Sequence, residues 1–310
     1  MKFLIIIPAH NEEENILPCL ESLKNQTFQD FKCVIVNDGS TDKTQEIVER
    51  FIQIPNTKYQ ILNLTQSEHQ PGAKVVRTFD KGLETENLEN FDVVCKFDAD
   101  IIFPENYLEK INEAYEKNPK AGMVSGLVYI QKGFVNFVRK PLVYAQPDKK
   151  DFTTSQLHDF TNQNEWTFEN LSSKNHVRGP IKSYRKELFQ KMNGLRAVLG
   201  WDNIDVMLCK MHGFETVTLQ ELWVKHLRPT AYKYKSQKAQ KLGEYFYNIG
   251  LNFPLAAISS AKSSWKNKSI SEFFITMKSF LKQKNPRVLS QEEIAFIRNL
   301  RWKEIKRKLM

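Results

Sequence analysis

FDVVCKFDADIIFP, residues 91–104, runs from apolar and β-branched side chains (Val93, Val94, Cys95, Phe97) straight into Asp98-Ala99-Asp100. A short apolar run closed by polar residues reads as a strand buried on both faces, the kind found in parallel sheets. On an extended backbone residues i and i+2 point the same way, so Asp98 and Asp100 are expected to share a side at the strand's end. Two carboxylates that close repel each other unless a cation or a ligand lies beside them. In open α/β sheets the carboxyl ends of the strands are also where ligands bind. A solvated turn explains an isolated Asp-x-Asp as well, so the rest of the chain has to separate the two readings.

Towards the N-terminus the same strand-then-polar pattern recurs. Lys2 to Ile7 is an apolar strand ended by Pro8-Ala9-His10-Asn11. Glu12 to Asn25 has apolar residues at helical spacing (Ile16, Leu17, Leu20, Leu23), and acidic residues at its start suit the positive end of a helix dipole. Phe31 to Val36 is a second strand, closed by Asn37-Asp38-Gly39-Ser40-Thr41-Asp42. There Gly39 supplies a turn, and one of Ser40, Thr41 or Asp42 caps a helix over Lys43–Ile52. Tyr59–Leu64 is a third strand, Pro71–Glu86 a helix and Phe91–Phe97 the fourth strand. This alternation predicts an α/β fold, a mainly parallel sheet flanked by crossover helices. The first turn, PAHNEEE, has no glycine and three carboxylates, so it makes a poor cradle for a dinucleotide pyrophosphate. Beyond the Asp pair, Pro104–Asn118 reads as a helix and Met123–Ile130 as a strand. From Gln131 to Asn170 the pattern weakens, as in a lid or a variable insertion.

Composition narrows the class. A chain of 310 residues with 41% hydrophobic content can bury a large core. The apolar run at the start is shorter than a signal-peptide core, and no run approaches the ~18 residues of a spanning helix. Cys19, Cys33, Cys95 and Cys209 form no Cys-x-x-Cys pair and fall in apolar surroundings, which predicts core thiols in a reducing, cytoplasmic compartment. The charge is uneven: from Lys225 onward there are 19 Lys/Arg against 5 Asp/Glu, leaving 26 against 31 in the rest. A basic tail on a near-neutral body suits an anionic partner, or else is a solvated helical surface.

IIIPAHNEEENI, VIVNDGSTDKT, FDADIIFPENYL and GWDNIDVML, in that order, resemble a family-two glycosyltransferase of the GT-A fold over about residues 1–230. QPGAKVVRTFDKGL is similar, more loosely, to that family's donor loop. The resemblance implies a catalytic domain over 1–230 and a basic helical extension over 231–310. It also implies a nucleoside-diphosphate-sugar donor carrying UDP, GDP or dTDP. Asp38 would accept from the base, with Pro8, His10 and Glu12 lining the other wall of the nucleoside pocket. Lys74 would reach the base or phosphates, with Arg77 as the runner-up. Asp98 would meet ribose hydroxyls, and Asp100, with His226, would hold a Mg²⁺ or Mn²⁺ bridging the diphosphate. Arg178 or Arg185 would face an anionic acceptor or the diphosphate.

In GWDNIDVML, Asp202 and Asp205 lie one helical turn apart. Inverting transfer needs one carboxylate to take the acceptor's proton, and Asp202 aligns with that base. The family commonly has Glu-Asp here, whereas this chain has Trp201-Asp202, and Trp201 offers a ring that could stack on a sugar. Asp205 is the alternative base or an orienting group. RNLRW at 298–302 resembles the Gln-x-x-Arg-Trp signature of processive relatives, but it lies far downstream of Asp202 and is assigned no role.

Downstream, Thr216–Leu219 reads as a strand. Ser236–Lys262, Ser271–Lys284 and Gln291–Leu309 mix lysines with apolar stripes. Those stripes pack on the catalytic domain or lie at an anionic membrane surface on the inner face of the cell membrane. The expected activity is inverting sugar transfer to a glycan or lipid-linked acceptor, in cell-surface glycan or glycolipid synthesis, with no nucleic-acid partner. A catalytically silent sugar-nucleotide- or lipid-binding homologue and a nucleotidyltransferase are the alternatives.

Overall fold

The computed structural model describes residues 1–53, 58–65, 70, 72–132, 158–160, 163–228 and 237–309. Four strands build its first half: β1 (Phe3–Ala9), β2 (Phe31–Asp38), β3 (Tyr59–Leu64) and β4 (Val93–Phe97). They lie in the order β3-β2-β1-β4, all parallel. The crossovers carry α1 (Ile16–Lys24), α2 (Thr44–Ile52) and α3 (Ala73–Leu83). Alternation along the strands divides the apolar residues between two cores. Phe3, Ile5 and Ile7 face α1, α2 and α4 (Tyr107–Lys117), while Leu4 and Ile6 face α3 and the later helices.

Two expectations shift in this half. The first helix begins at Ile16 and not at Glu12, because Asn11 has a positive φ of 56° and the Glu12 N–H donates to Thr44 Oγ1 at 2.7 Å. That lays residues 11–15 as a loop against the end of β2. The second shift concerns Asp98 and Asp100. The chain turns at Ala99-Asp100 and enters a short strand, β5 (Ile101–Ile102), and the two carboxylates take different partners, Asp98 on Lys96 and Asp100 on Arg228.

Beyond β4 the sheet is mixed. β6 (Ala121–Gln131), β7 (Trp166–Phe168) and β8 (Ile181–Arg185) join it, β8 antiparallel to both β4 and β6 and β7 antiparallel to β6. β9 (Glu215–His226) runs parallel to β6 and pairs antiparallel with β5. The strand expected over Thr216–Leu219 therefore continues for another seven residues. The sequence hides this because a register shift opposes Ser125–Leu127 of β6 to Thr218–Trp223 of β9, and the polar Gln220 and Glu221 fall in the irregular part. Within the stretch expected to be irregular, Trp166–Phe168 is ordered strand; residues 133–157 and 161–162 lie outside the described residues.

α5 (Lys186–Lys191) and α6 (Trp201–Met211) follow β8, and four helices end the chain. These are α7 (Lys238–Asn248), α8 (Phe253–Lys266), α9 (Ile270–Lys282) and α10 (Gln291–Leu309). Phe246, Ile249, Met277, Phe280, Ile294 and Ile297 join Leu4, Ile6 and Val34 in one core cluster, so the helices beyond residue 231 close over one face of the sheet. All four cysteines are buried free thiols. Among the described residues no helix is long and apolar enough to cross a membrane.

Candidate active site

The carboxyl ends of β1, β2 and β4 meet at one edge of the sheet. There the β5–β9 ladder places Ile101 opposite His226, which draws Asp100 and His226 together. Asp100 Oδ1 lies 3.5 Å from His226 Nε2, and its Oδ2 lies 3.2 Å from an Arg228 guanidinium nitrogen. The Leu227 N–H donates to the Asp100 carbonyl at 2.9 Å and fixes the turn. Behind the imidazole, His226 Nδ1 is 3.3 Å from Glu169 Oε2, and Arg178 pairs with that same oxygen at 2.8 Å. Arg228 also pairs with Glu12, whose other oxygen accepts from Asn15 Nδ2 at 2.9 Å.

Burial opposes charge on these groups, yet the neighbours decide the outcome. Burial pushes the Asp100 carboxyl up, but His226 and Arg228 outweigh it and hold it below the usual carboxylate range. Burial likewise disfavours the imidazolium, but Asp100 and Glu169 raise His226 to about 10. Glu12 moves the other way: burial and the Asp100 charge raise it despite Arg228. Asp100 and His226 offer one carboxylate oxygen and one imidazole nitrogen, and Glu169 orients the ring from behind, as outer-shell carboxylates do for metal-bound histidines. This donor set fits Mg²⁺ or Mn²⁺. Among the described residues no three His, Cys, Asp or Glu side chains converge as a metal cage, so a cation here needs further ligands from a substrate.

A second group gathers at the end of β2. Asp38 is buried, and its Oδ2 accepts from Lys74 Nζ at 3.1 Å and Thr78 Oγ1 at 3.3 Å, both on α3. His10 Nδ1 lies 2.8 Å from the Asp38 carbonyl oxygen. The register pairs Pro8 with Val36 beside them. Of the residues expected around a nucleoside, Pro8, His10, Asp38 and Lys74 thus fall together. Glu12 points away from them, towards Arg228 and Asp100.

The third group lies across β4 and β8. Lys96 and Lys182 are cross-strand partners, both buried. Like charges directly opposite destabilise a sheet unless neutralised. Lys96 pairs with Asp98, and Lys182 Nζ lies 2.6 and 2.7 Å from the two Asp205 oxygens. Tyr184 donates to Asp205 at 2.6 Å, and Lys182 also donates to the Asp202 carbonyl at 2.5 Å. The Trp201 ring lies over both ammoniums, 5.3 Å from Lys96 Nζ and 5.2 Å from Lys182 Nζ, a cation–π arrangement. Trp201 is buried in the core, so its ring is an anchor for α6 and not a free stacking platform.

The two acids of α6 therefore differ. Asp205 is 2% exposed and held by Lys182 and Tyr184. Asp202 is half-buried in the first turn, with Asn203 Nδ2 at 3.4 Å. A Cβ on Gly179 would lie 3.8 Å from Asp202 Oδ2, and Lys96, which holds Asp98, donates to the Gly179 carbonyl at 3.4 Å. Gly179 thus lies between the Asp98 group and Asp202. Arg185 donates to the carbonyls of Tyr115, Asn118 and Ala121 instead of facing the site, and Arg77 bonds the side chain of Gln70. Arg178 stands behind Glu169 as support for His226.

Sequence reasoning passed over Glu169, Lys96, Lys182 and Tyr184. A lysine inside an otherwise apolar strand was the available signal, since a buried ammonium needs a partner. Glu169 lies in a stretch without periodicity and carried no signal. Arg301, in RNLRW, hydrogen-bonds Tyr245, whose ring covers Gly200 directly before Trp201. Its distance along the chain concealed how near the tertiary fold brings it to α6.

The pattern of the family described as Glycosyl transferase family 2 matches residues 4–191. Glycosyltransferase GlyG of Streptococcus pneumoniae is 23% identical over 193 residues, covering 61% of this chain and 58% of GlyG. The matched stretches cover between 8% and 58% of the curated relatives' own lengths. Among solved structures, the mannosyltransferase PcManGT from Pyrobaculum calidifontis, in complex with GDP-Man and Mn²⁺, superposes with a TM-score of 0.55 at 17% identity. It covers 98% of this chain and 75% of that one. S. aureus TarS 1–349 in complex with UDP gives 0.53 at 15% identity, over 94% and 95% of the two chains. The architecture shared with both is the GT-A fold.

Proposed function

The chain belongs to glycosyl transferase family 2, and we propose that it moves a sugar, with inversion, from a nucleoside-diphosphate sugar to an acceptor hydroxyl. The observation that carries this reading is the division between the two α6 acids: Asp205 is locked by Lys182 and Tyr184, while the half-buried Asp202 stands beside Gly179. Asp202 takes the acceptor's proton as that oxygen attacks the anomeric carbon, opposite the departing nucleotide. Asp38 and Lys74 hold the base end of the donor with Pro8 and His10, and Asp98 takes the ribose. Arg228 supplies positive charge beside the leaving diphosphate. Asp100 and His226 would hold Mg²⁺ or Mn²⁺, which when bound neutralises charge on the leaving group. Donor and acceptor are aligned before reaction, and that alignment supplies much of the rate.

The UDP in the similar TarS structure and the GDP-Man and Mn²⁺ in the similar mannosyltransferase support the donor class and the cation. Relatives named for teichoic acid and poly-N-acetylglucosamine synthesis support a role in cell-surface glycan synthesis; on this reading the acceptor is a glycan or a lipid-linked molecule met at the cytoplasmic face of the membrane. The test is release of nucleoside diphosphate from UDP-, GDP- and dTDP-sugars, with and without Mn²⁺ and with candidate acceptors. Release from one donor class, abolished by EDTA and restored by Mn²⁺, is expected. No release from any donor under any of these conditions would overturn the enzymatic reading.

A further inference from the structure

The basic C-terminal region does not present its apolar residues where the sequence suggests. α10, the most basic helix at the chain end, buries Ile294 and Ile297 in the core. Two of its three arginines are engaged within the protein: Arg298 donates to the Gly250 carbonyl at 2.8 Å and Arg301 pairs with Glu304 at 3.1 Å. The large exposed apolar side chains cluster instead on α8 and α9. Trp265 is 88% exposed, Ile270 80% and Phe274 65%, and Phe253, Ile258 and Leu281 are exposed along the same two helices.

These residues follow helical spacing on the solvent side. Ile258, Lys262 and Trp265 recur at i, i+4 and i+7 along α8, and Ile270, Phe274 and Lys278 at i, i+4 and i+8 along α9. The opposite sides are buried, through Leu255 and Ala256 of α8 and Met277 and Phe280 of α9. Residues 253–284 contain six lysines (262, 266, 268, 278, 282 and 284) and one acid, Glu272, which accepts from Asn267 at 2.7 Å. Exposed aromatic and aliphatic side chains among solvated lysines are the composition of a surface that inserts shallowly between anionic headgroups. A protein partner surface would instead be depleted of lysine at its centre.

We propose that the α8–α9 hairpin docks on an anionic lipid bilayer, with Trp265, Ile270 and Phe274 entering the headgroup region and the lysines meeting lipid phosphates. The hairpin is connected through α7 to the candidate active site. Gly243 of α7 brings that helix against the backbone of α9 at Thr276 and Phe280, and Tyr245 of α7 covers Gly200 at the start of α6. Docking through this hairpin sets how the α6 end of the site faces the membrane.

The test uses the full chain with no donor or acceptor, so it fails or succeeds independently of sugar transfer. Co-sedimentation is measured with phosphatidylcholine vesicles with and without phosphatidylglycerol. Binding to the anionic vesicles alone, weakened by salt, is expected, with a blue shift of tryptophan emission that Trp265→Phe removes. Combined Trp265→Ser, Ile270→Ser and Phe274→Ser should lower binding by about tenfold or more. Lys266→Gln and Lys268→Gln should each lower it about fivefold. Lys303→Gln with Lys306→Gln on α10 should change it less. The substituted side chains are exposed, and an unchanged near-UV circular dichroism spectrum confirms folding; if the triple variant misfolds, the Trp265→Phe emission change and the lysine variants decide. No binding of the native chain to anionic vesicles, or equal binding by the lysine variants, overturns the proposal. So does a lipid-free dimer that the triple variant dissociates, which would assign this face to a second copy of the chain.

Discussion

Asp202 and Asp205 stand one turn apart on a helix, yet their surroundings give them opposite tasks. Replacing Asp202 by Asn keeps its size and removes its ability to accept a proton, so transfer should fall at least about a hundredfold while the donor dissociation constant stays unchanged. Asp205→Asn leaves Lys182 buried without a counter-charge, which should cost about 3–5 kcal/mol of stability, read as a lower melting midpoint. Activity surviving Asp202→Asn would remove Asp202 as the base. His226 carries a pH signature. Its folded-state value is raised from 6.5 to about 10 by Asp100 and Glu169 against the effect of burial. The native state therefore holds more protons than the unfolded state across that window, and stability falls as pH rises through it. In metal-free protein the native chain should lose stability from pH 6.5 towards 10 more steeply than His226→Gln; parallel slopes would contradict the pairing.

α6 begins at Gly200, where φ is +98° and the Tyr245 ring leaves no room for a Cβ. Its first residue, Trp201, covers two buried lysines that face each other across β4 and β8. Trp201 in place of the family's usual acid is thus explained by packing: the lysines find their carboxylates in Asp98 and Asp205, and the ring shields them. Trp201→Ala should cost about 3–5 kcal/mol, and Trp201→Phe considerably less, by chemical denaturation. If Trp201→Ala is stable but loses donor binding, the ring serves the substrate instead. Strands were the most legible elements, because β1, β2 and β4 are apolar runs closed by polar turns. β9 was legible only over Thr216–Leu219, since its bulge interrupts the alternation that marks a strand.

The sheet divides the molecule into two cores, and the four terminal helices complete one of them. Removing residues 237–309 would strip α10 from α6 and Tyr245 from Gly200 while keeping every strand-end motif. Such a truncation should lose its cooperative thermal transition and bind a hydrophobic dye; a cooperatively folded, active fragment would show the helices to be dispensable. The sequence alone determined the parallel half of the sheet, the strand-end positions of Asp38, Asp98 and Asp100, and the candidacy of Asp202, His226 and Lys74. The sheet and the strand-end positions follow from local periodicity and turn chemistry readable along the chain, and the three candidacies from the resemblance of its motifs to those of the family. Only the tertiary structure decided that Asp98 and Asp100 take different partners, that Glu12 joins Arg228, and that Glu169 stands behind His226. It also decided that Lys182 claims Asp205 and leaves Asp202 towards the site, because a buried charge takes its partner from whatever strand or helix the packing sets beside it, however distant in sequence.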